Sequence, residues 1–177
     1  DPGGAAPTTL PGGAPYGYRP ESPRRWVYGD GYAAYGLIAT PTGVEGEDDE
    51  LSFYATCNDW SDTPVQLFRY TLRLDGFVSR SAPYAGGEVV TQPLCFAGDA
   101  LHINFATSAA GSLRVVIEDE AGNALSGFDS GELFGDAADR AVYFDGDLAA
   151  LAGQSVRLRF ILRDADLYAF QFCTEGK

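Results

Sequence analysis

The sequence predicts an all-β protein, an antiparallel β-sandwich of jelly-roll type preceded by a β-meander. The first observation is an alternation of apolar and polar residues with a period of two, as in Arg157–Arg163, where Leu158, Phe160 and Leu162 occupy every second position. The second is the series of Gly-, Asp- and Asn-containing turns AGDA, SAAGS, DEAGN and FDGD between such stretches. Amphipathic helical patterns are nearly absent, so the strands must form the scaffold.

Residues 1–23 are predicted to form an arm or linker. The segment is rich in Gly and Pro and has no alternating apolar pattern. Its own contacts would not offset the entropy lost on ordering, so an ordered arm would have to pack on the sheet or on a neighbouring chain.

Residues 24–78 are predicted to form a three-stranded meander that is similar in shape to one propeller blade. Its strands are expected near Tyr32–Thr40, Leu51–Cys57 and Gln66–Val78, and the acidic loop PTGVEGEDDE joins the first two. An isolated blade would be only marginally stable. The meander is therefore expected to pack on, or pair with, the sandwich.

Residues 79–177 are predicted to form the sandwich. A short helix is expected at Asp147–Ala152, with Asp147 as its N-cap and Gly153 as its stop. The predicted strands are Gly87–Cys95, Leu101–Thr107, Ser112–Asp119, Ala141–Phe144, Ser155–Arg163 and Leu167–Cys173.

Composition limits the classes of partner. The 177 residues include 25 acids and 12 bases, a net charge of −13, so nucleic acid and anionic membranes are unfavourable partners. No window approaches the roughly 20 apolar residues of a membrane span, and membrane insertion is not expected. The chain contains no Met and no hydrophobic signal segment, which is typical of a processed or excised protein.

The cysteines argue against a zinc site. Cys57, Cys95 and Cys173 lie far apart and never form a CxxC pair. Two of them could form a disulfide in an oxidising compartment, in any of three pairings, or all three could be small buried residues.

Five segments carry a resemblance to a known family: WVYGDGYAAYGLI, DDELSFYAT, RYTLRLDGFVS, LHINFATSAAGSLRVVIEDEAGNALSGF and DLAALAGQSVRLRFILRDADLYAFQF. From Trp26 to Phe172 the chain resembles the C-terminal region of secreted glycoside-hydrolase-like proteins, in which a five-bladed propeller of the family 32/43 type precedes a β-sandwich. The resemblance implies a secreted or cell-surface protein that handles carbohydrate. Because the propeller body lies outside the matching region, no catalytic residue is carried over.

Sugar recognition needs aromatic faces and planar polar groups, and one predicted loop offers both. Asn58, Asp59, Trp60 and Asp62 follow a strand and are the candidate carbohydrate contacts, together with Tyr84 in the loop SAPYAGG. The alternative is that Trp60 is a hydrophobic plug at the meander edge. A second aromatic group is expected to pack the meander on the sandwich: Trp26, Tyr28, Tyr32 and Tyr35.

Calcium is the one cofactor that the sequence suggests. Asp164 and Asp166 precede the last predicted strand, and Asp119 lies between Glu118 and Glu120 at the end of another. If these strand ends met, their carboxylates could share a Ca²⁺ ion, as the resemblance also implies. The alternative is that these residues only form turns and caps.

The expected function is a non-catalytic carbohydrate-binding or accessory module for a polysaccharide or oligosaccharide. His102 is predicted on the polar face of a strand with Asn104, and no GxSxG motif accompanies it, so a hydrolase triad is not expected. One alternative is a self-assembling surface protein that contacts copies of itself through strand edges and the arm. Another is the C-terminal fragment of a glycoside hydrolase with an upstream propeller domain.

Overall fold

A computed structural model describes residues 32–43, 48–57 and 64–174. The chain divides into two compact units, one of residues 1–41 and 49–72 and the other of residues 42–48 and 73–177. The division falls between Leu72 and Arg73, whereas the sequence places the boundary after residue 78.

The first unit contains an antiparallel sheet. Its strands are β1 (Tyr32–Ala33), β2 (Ile38–Thr40), β3 (Glu50–Cys57) and β4 (Gln66–Arg73). β1 and β2 pair with successive parts of β3 and act as one interrupted strand, and β4 also pairs with β3. The predicted three-stranded meander is thus confirmed.

The two faces of this meander differ in chemistry. Phe53 and Tyr70 stack on one face with ring centroids 5.1 Å apart. On the other face, Arg69 donates hydrogen bonds to Ser52 Oγ at 2.8 Å, Thr40 Oγ1 at 2.9 Å and Glu50 Oε1 at 2.6 Å. Because Ser52 is fully buried, these bonds satisfy a hydroxyl that would otherwise be costly to bury.

The second unit is built on two strands of 19 residues, Ala100–Glu118 and Ser155–Cys173. They pair antiparallel along their length, from Arg157 opposite Glu118 to Cys173 opposite Ala100. In chain order, the elements are β5 (Arg80–Ala82), β6 (Gly87–Val90), β7 (Leu94–Cys95), β8 (Ala100–Glu118), β9 (Ala124–Leu133), β10 (Asp136–Val142), a 3₁₀ turn (Leu148–Leu151) and β11 (Ser155–Cys173).

Both long strands bend at a fold line formed by residues 108–111 of β8 and Asp164 of β11. The register shifts there, because Arg163 pairs with Ser112 whereas Ala165 pairs with Thr107. Asp164 has a left-handed φ of 44°. β8 and β11 therefore pass through both layers of the sandwich: β10 and β5 flank them in the first layer, and β9, β6 and β7 flank them in the second.

The two layers share one apolar core, as the predicted period of two requires. Leu158, Phe160 and Leu162 are buried, while Ile161 and Arg163 are exposed. Each fully buried side chain of this size contributes about 1.5–3 kcal/mol of hydrophobic stabilisation. The core also includes Leu101, Ile103, Phe105, Leu113, Val115, Ile117, Val156 and Leu167.

The sandwich prediction is confirmed, with corrections to individual strands. The predicted pairs on either side of SAAGS and Asp164 are single bent strands, β8 and β11, and predicted Gly87–Cys95 is split into β6 and β7. β5 and β9 are additional strands, and β10 begins before the predicted Ala141. The predicted short helix is a 3₁₀ turn, capped by Asp147 Oδ1 accepting from the Ala149 amide at 3.0 Å.

Candidate functional site

A cleft of about 310 Å³ lies on the outer face of the first layer. Since Leu101, Ile103 and Phe105 face the core, the alternating residues His102 and Asn104 face this cleft. On β11, Gln171 lies directly opposite His102, and Ala169 lies opposite Asn104. Segments 74–75 and 138–139 complete the lining.

Asn104 is the buried anchor of the cleft. It is only 4% exposed, and its Nδ2 donates to the Leu74 carbonyl at 2.6 Å while its Oδ1 accepts from Arg73 Nε. The sequence pattern predicted that Asn104 would lie on the polar face of a strand. The segment at Leu74 covers it instead, and the hydrogen bonds offset the cost of burying its amide.

Arg73 is held by several partners at once. Besides Asn104, it donates to the Asp136 carboxylate and to the Phe105 carbonyl at 3.1 Å. Its guanidinium also lies 4.9 Å from the centroid of the Tyr168 ring. These contacts assign Arg73 a positioning role beside the cleft.

His102 and Asp139 form a pair across β8 and β10. The His102 Nδ1 lies 2.6 Å from Asp139 Oδ1, and the imidazole side chain is 20% exposed. The Ala138 amide donates to Asp48 Oδ2 at 2.8 Å, which fixes the segment that carries Asp139. The carboxylate therefore sets the orientation of a ring that lines the cleft.

Asp75 contributes a carboxylate of a different kind. It is exposed, and it makes no hydrogen bond or ion pair with any residue that the structure describes. Its φ of 51° is left-handed, a conformation that Asp tolerates better than most residues. Phe170, which is 38% exposed, adds apolar surface to the same cleft.

The structure leaves most of the predicted sugar contacts untested. Asn58, Asp59, Trp60 and Asp62 lie outside the described residues, so their role stays a prediction. Tyr84 is 58% exposed, but the Arg163 guanidinium lies 4.1 Å from its ring centroid. One face of the ring is thus already covered by an arginine of the neighbouring strand.

The predicted calcium ligands are not brought together. Glu118, next to Asp119, lies opposite Arg157, and Asp164 is seven residues further along β11, about 23 Å at 3.3 Å per residue. No group of three or more His, Cys, Asp or Glu side chains within the described ranges is arranged to hold a metal ion.

These carboxylates have local partners instead. Asp119 accepts hydrogen bonds from the Asn123 side chain at 2.9 Å and from its amide at 2.8 Å, and these bonds lower the pKa of the carboxyl group. Asp166 accepts from Ser79 Oγ at 2.8 Å. Asp119 therefore closes a turn, the alternative that the sequence had left open.

Comparison with known proteins gives no relative from which a function could be transferred. The chain matches no protein-family model, and it has no significant match among curated proteins or solved structures. In the described ranges, no helix has the length and apolar character needed to cross a membrane.

Proposed function

We propose that the protein is a non-catalytic carbohydrate-binding module that acts outside the cell. It holds an oligosaccharide, or a short stretch of polysaccharide, in the cleft on the outer face of the first layer. The observation that carries the proposal is the pair His102 and Gln171, which lie opposite each other on neighbouring strands and both line the cleft, where the Gln171 side chain is exposed.

The chemistry of this pair suits sugar hydroxyls. A hydroxyl both donates and accepts, and the side-chain amide of Gln171 offers both functions in one plane. The ring of His102 is oriented by Asp139, so part of the entropic cost of binding is met before the ligand arrives. The cleft volume lies at the small end of the range of about 300–1,000 Å³ for ligand sites, as a short saccharide requires.

Binding rather than hydrolysis is supported by the state of the carboxylates. Glycoside hydrolysis uses two carboxyl groups, one on each side of the scissile bond. In this cleft, Asp139 is engaged by His102, and the other lining carboxylate, Asp75, is exposed on a turn.

A glycan-array screen with the 177-residue protein tests the proposal, followed by titration calorimetry on any saccharide that binds. We expect Gln171→Ala and His102→Ala to weaken binding about tenfold each, as the loss of one or two hydrogen bonds implies. Gln154→Ala is the matched control, because Gln154 is exposed and bonds to the Ala150 carbonyl away from the cleft. Binding that survives both cleft substitutions, or no binding to any saccharide, would overturn the proposal.

The predicted loop at Trp60 provides a competing location for the same function. Trp60→Ala in the same screen separates the two. Loss of binding in Trp60→Ala, with retention in Gln171→Ala, would place the contact in the loop and remove it from the cleft.

A second candidate function is self-assembly through strand edges. In the first unit, Ile38 at the start of β2 and the preceding Leu37 are 55% and 51% exposed, and among the described residues β2 pairs only with β3, which favours pairing of its other edge with another chain. Light scattering after size exclusion tests it: assembly predicts particles larger than a monomer that dissociate in Ile38→Lys. A monomer in both proteins would exclude this function.

A further inference from the structure

We propose that the cleft selects saccharides that carry a free primary amine, with Asp75 as the partner of the ammonium group. The ligand class is a polymer or oligomer of a deacetylated hexosamine. This inference rests on the proposed carbohydrate binding and adds a charge preference to the same site.

The carboxylates around the cleft differ in whether they have a partner. Asp136 forms an ion pair with Arg73, and Asp139 is hydrogen-bonded to His102. Asp75 lines the cleft without an ion-pair partner among the described residues. One carboxylate is therefore left to bind a cation supplied by the ligand.

The positive charge beside the cleft belongs to Arg73, which is already engaged. All three guanidinium nitrogens of Arg73 already donate, to Asn104, Asp136 and the Phe105 carbonyl. An acidic sugar would meet the carboxylates of Asp75 and Asp139 with no available arginine to compensate them. The net charge of −13 has the same sign, so uronic and sulfated saccharides are disfavoured at long range as well.

Two hydrogen bonds hold the backbone of the turn that contains Asp75. The Gly76 amide donates to the Arg73 carbonyl at 2.9 Å and closes the turn that contains Asp75. The buried Asn104 pins the same turn through the Leu74 carbonyl. The backbone that carries the Asp75 carboxylate is therefore held beside the cleft, where an ammonium group would form a charge-assisted hydrogen bond with that carboxylate.

The experiment compares three ligands of equal length by titration calorimetry at physiological ionic strength, where long-range attraction is screened. These are glucosamine oligomers, their N-acetylated counterparts and oligogalacturonate. We expect the glucosamine oligomer to bind about tenfold more tightly than the N-acetylated one, and Asp75→Asn to abolish that difference. Asn suits this position because it also tolerates a left-handed φ, so the variant removes charge without straining the turn.

Glu120→Gln is the control, because it removes one exposed negative charge at the far end of β8. If Glu120→Gln weakened glucosamine binding as much as Asp75→Asn, the attraction would come from net charge and the inference would fail. It would also fail if the N-acetylated oligomer bound equally well. In either case, Gln171→Ala tests the proposed carbohydrate binding separately. If this variant binds the oligomers more weakly than wild type, the proposed function stands; if its binding is unchanged, the proposed function is wrong.

Discussion

Glu118 accepts a hydrogen bond from Arg159 at 2.5 Å, although the Glu118 side chain is only 5% exposed. Arg159 also donates to Glu88 at 2.6 Å, so a single guanidinium links β8, β11 and β6 on the outer face of the second layer. The bond to Glu118, and then that to Glu88, raises the pKa of Arg159. A buried carboxylate is stable here because its charge is matched.

Replacing Arg159 with Met should therefore destabilise the sandwich, because the buried Glu118 carboxylate loses its counter-charge. Urea unfolding followed by circular dichroism measures the free energy of unfolding. Arg114→Met is the control: Arg114 pairs with Asp129 where both side chains are at least 40% exposed, and the loss of such a solvent-screened pair should cost much less stability. Equal losses in the two variants would show that the burial of Glu118 does not matter.

Asp129 should contribute a pH-dependent part of stability. The hydrogen bond from Arg114 lowers the pKa of Asp129 in the folded protein. A depressed folded pKa means that the stabilisation is present above the unfolded pKa of about 3.9 and is lost as pH falls through the folded pKa. The difference in unfolding free energy between wild type and Asp129→Asn should be constant above about pH 5 and should shrink below about pH 4.

Urea titrations of both proteins across that range measure the difference. A gap that stays constant down to about pH 2 would contradict the assignment, because the carboxyl group would then have protonated equally in both states.

Gly111→Ala should disrupt the fold line of the sandwich. A Cβ at this position would lie 2.3 Å from the Asp164 carbonyl oxygen and 2.7 Å from that of Arg163. Since backbone atoms cannot move aside like flexible side chains, we expect a loss near the upper end of the range for overpacking, about 3 kcal/mol. Thermal unfolding measures the loss, with Ala109→Ser as the control at an exposed position two residues before the buried Gly111. Equal stability of the two variants would show that the fold line tolerates a side chain.

Arg69→Met should loosen the meander of the first unit. The substitution removes the donors to Thr40, Glu50 and the fully buried Ser52, at a cost of about 1–3 kcal/mol. Native-state hydrogen exchange should show faster exchange of the amides that hydrogen-bond β2 to β3, with amides of β8 as the internal reference. Unchanged protection in β2 and β3 would mean that the arginine does not hold these strands.

The sequence predicted the fold well where the signal is local. The alternation at Leu158, Phe160 and Leu162 follows from the period of a strand and is confirmed. β9 was missed because Gly127 and Gly131, both with positive φ, interrupt its pattern. SAAGS was interpreted as a turn that separates two strands, whereas pairing with β11 on both sides keeps β8 continuous.

The candidate cleft was harder to predict because its contacts are distant in sequence. Asn104 contacts Leu74 through a hydrogen bond to a turn, and His102 contacts Asp139 across the pairing of β8 with β10; no local sequence pattern reveals either contact. His102 and Asn104 were expected together on a polar face, and both face the cleft. The burial of Asn104 could not be foreseen, since the covering segment at Leu74 was predicted to belong to another unit.

The continuity of β8 and β11 through both layers has a mechanical consequence. A cut at the fold line would divide each long strand, so neither layer could survive as an autonomous folding module. Loss of pairing in one layer is transmitted along the same two backbones to the other. The sandwich should therefore melt in one cooperative step, and insertions or circular permutation breaks should be tolerated at the Asp119–Asn123 turn but not at Gly111.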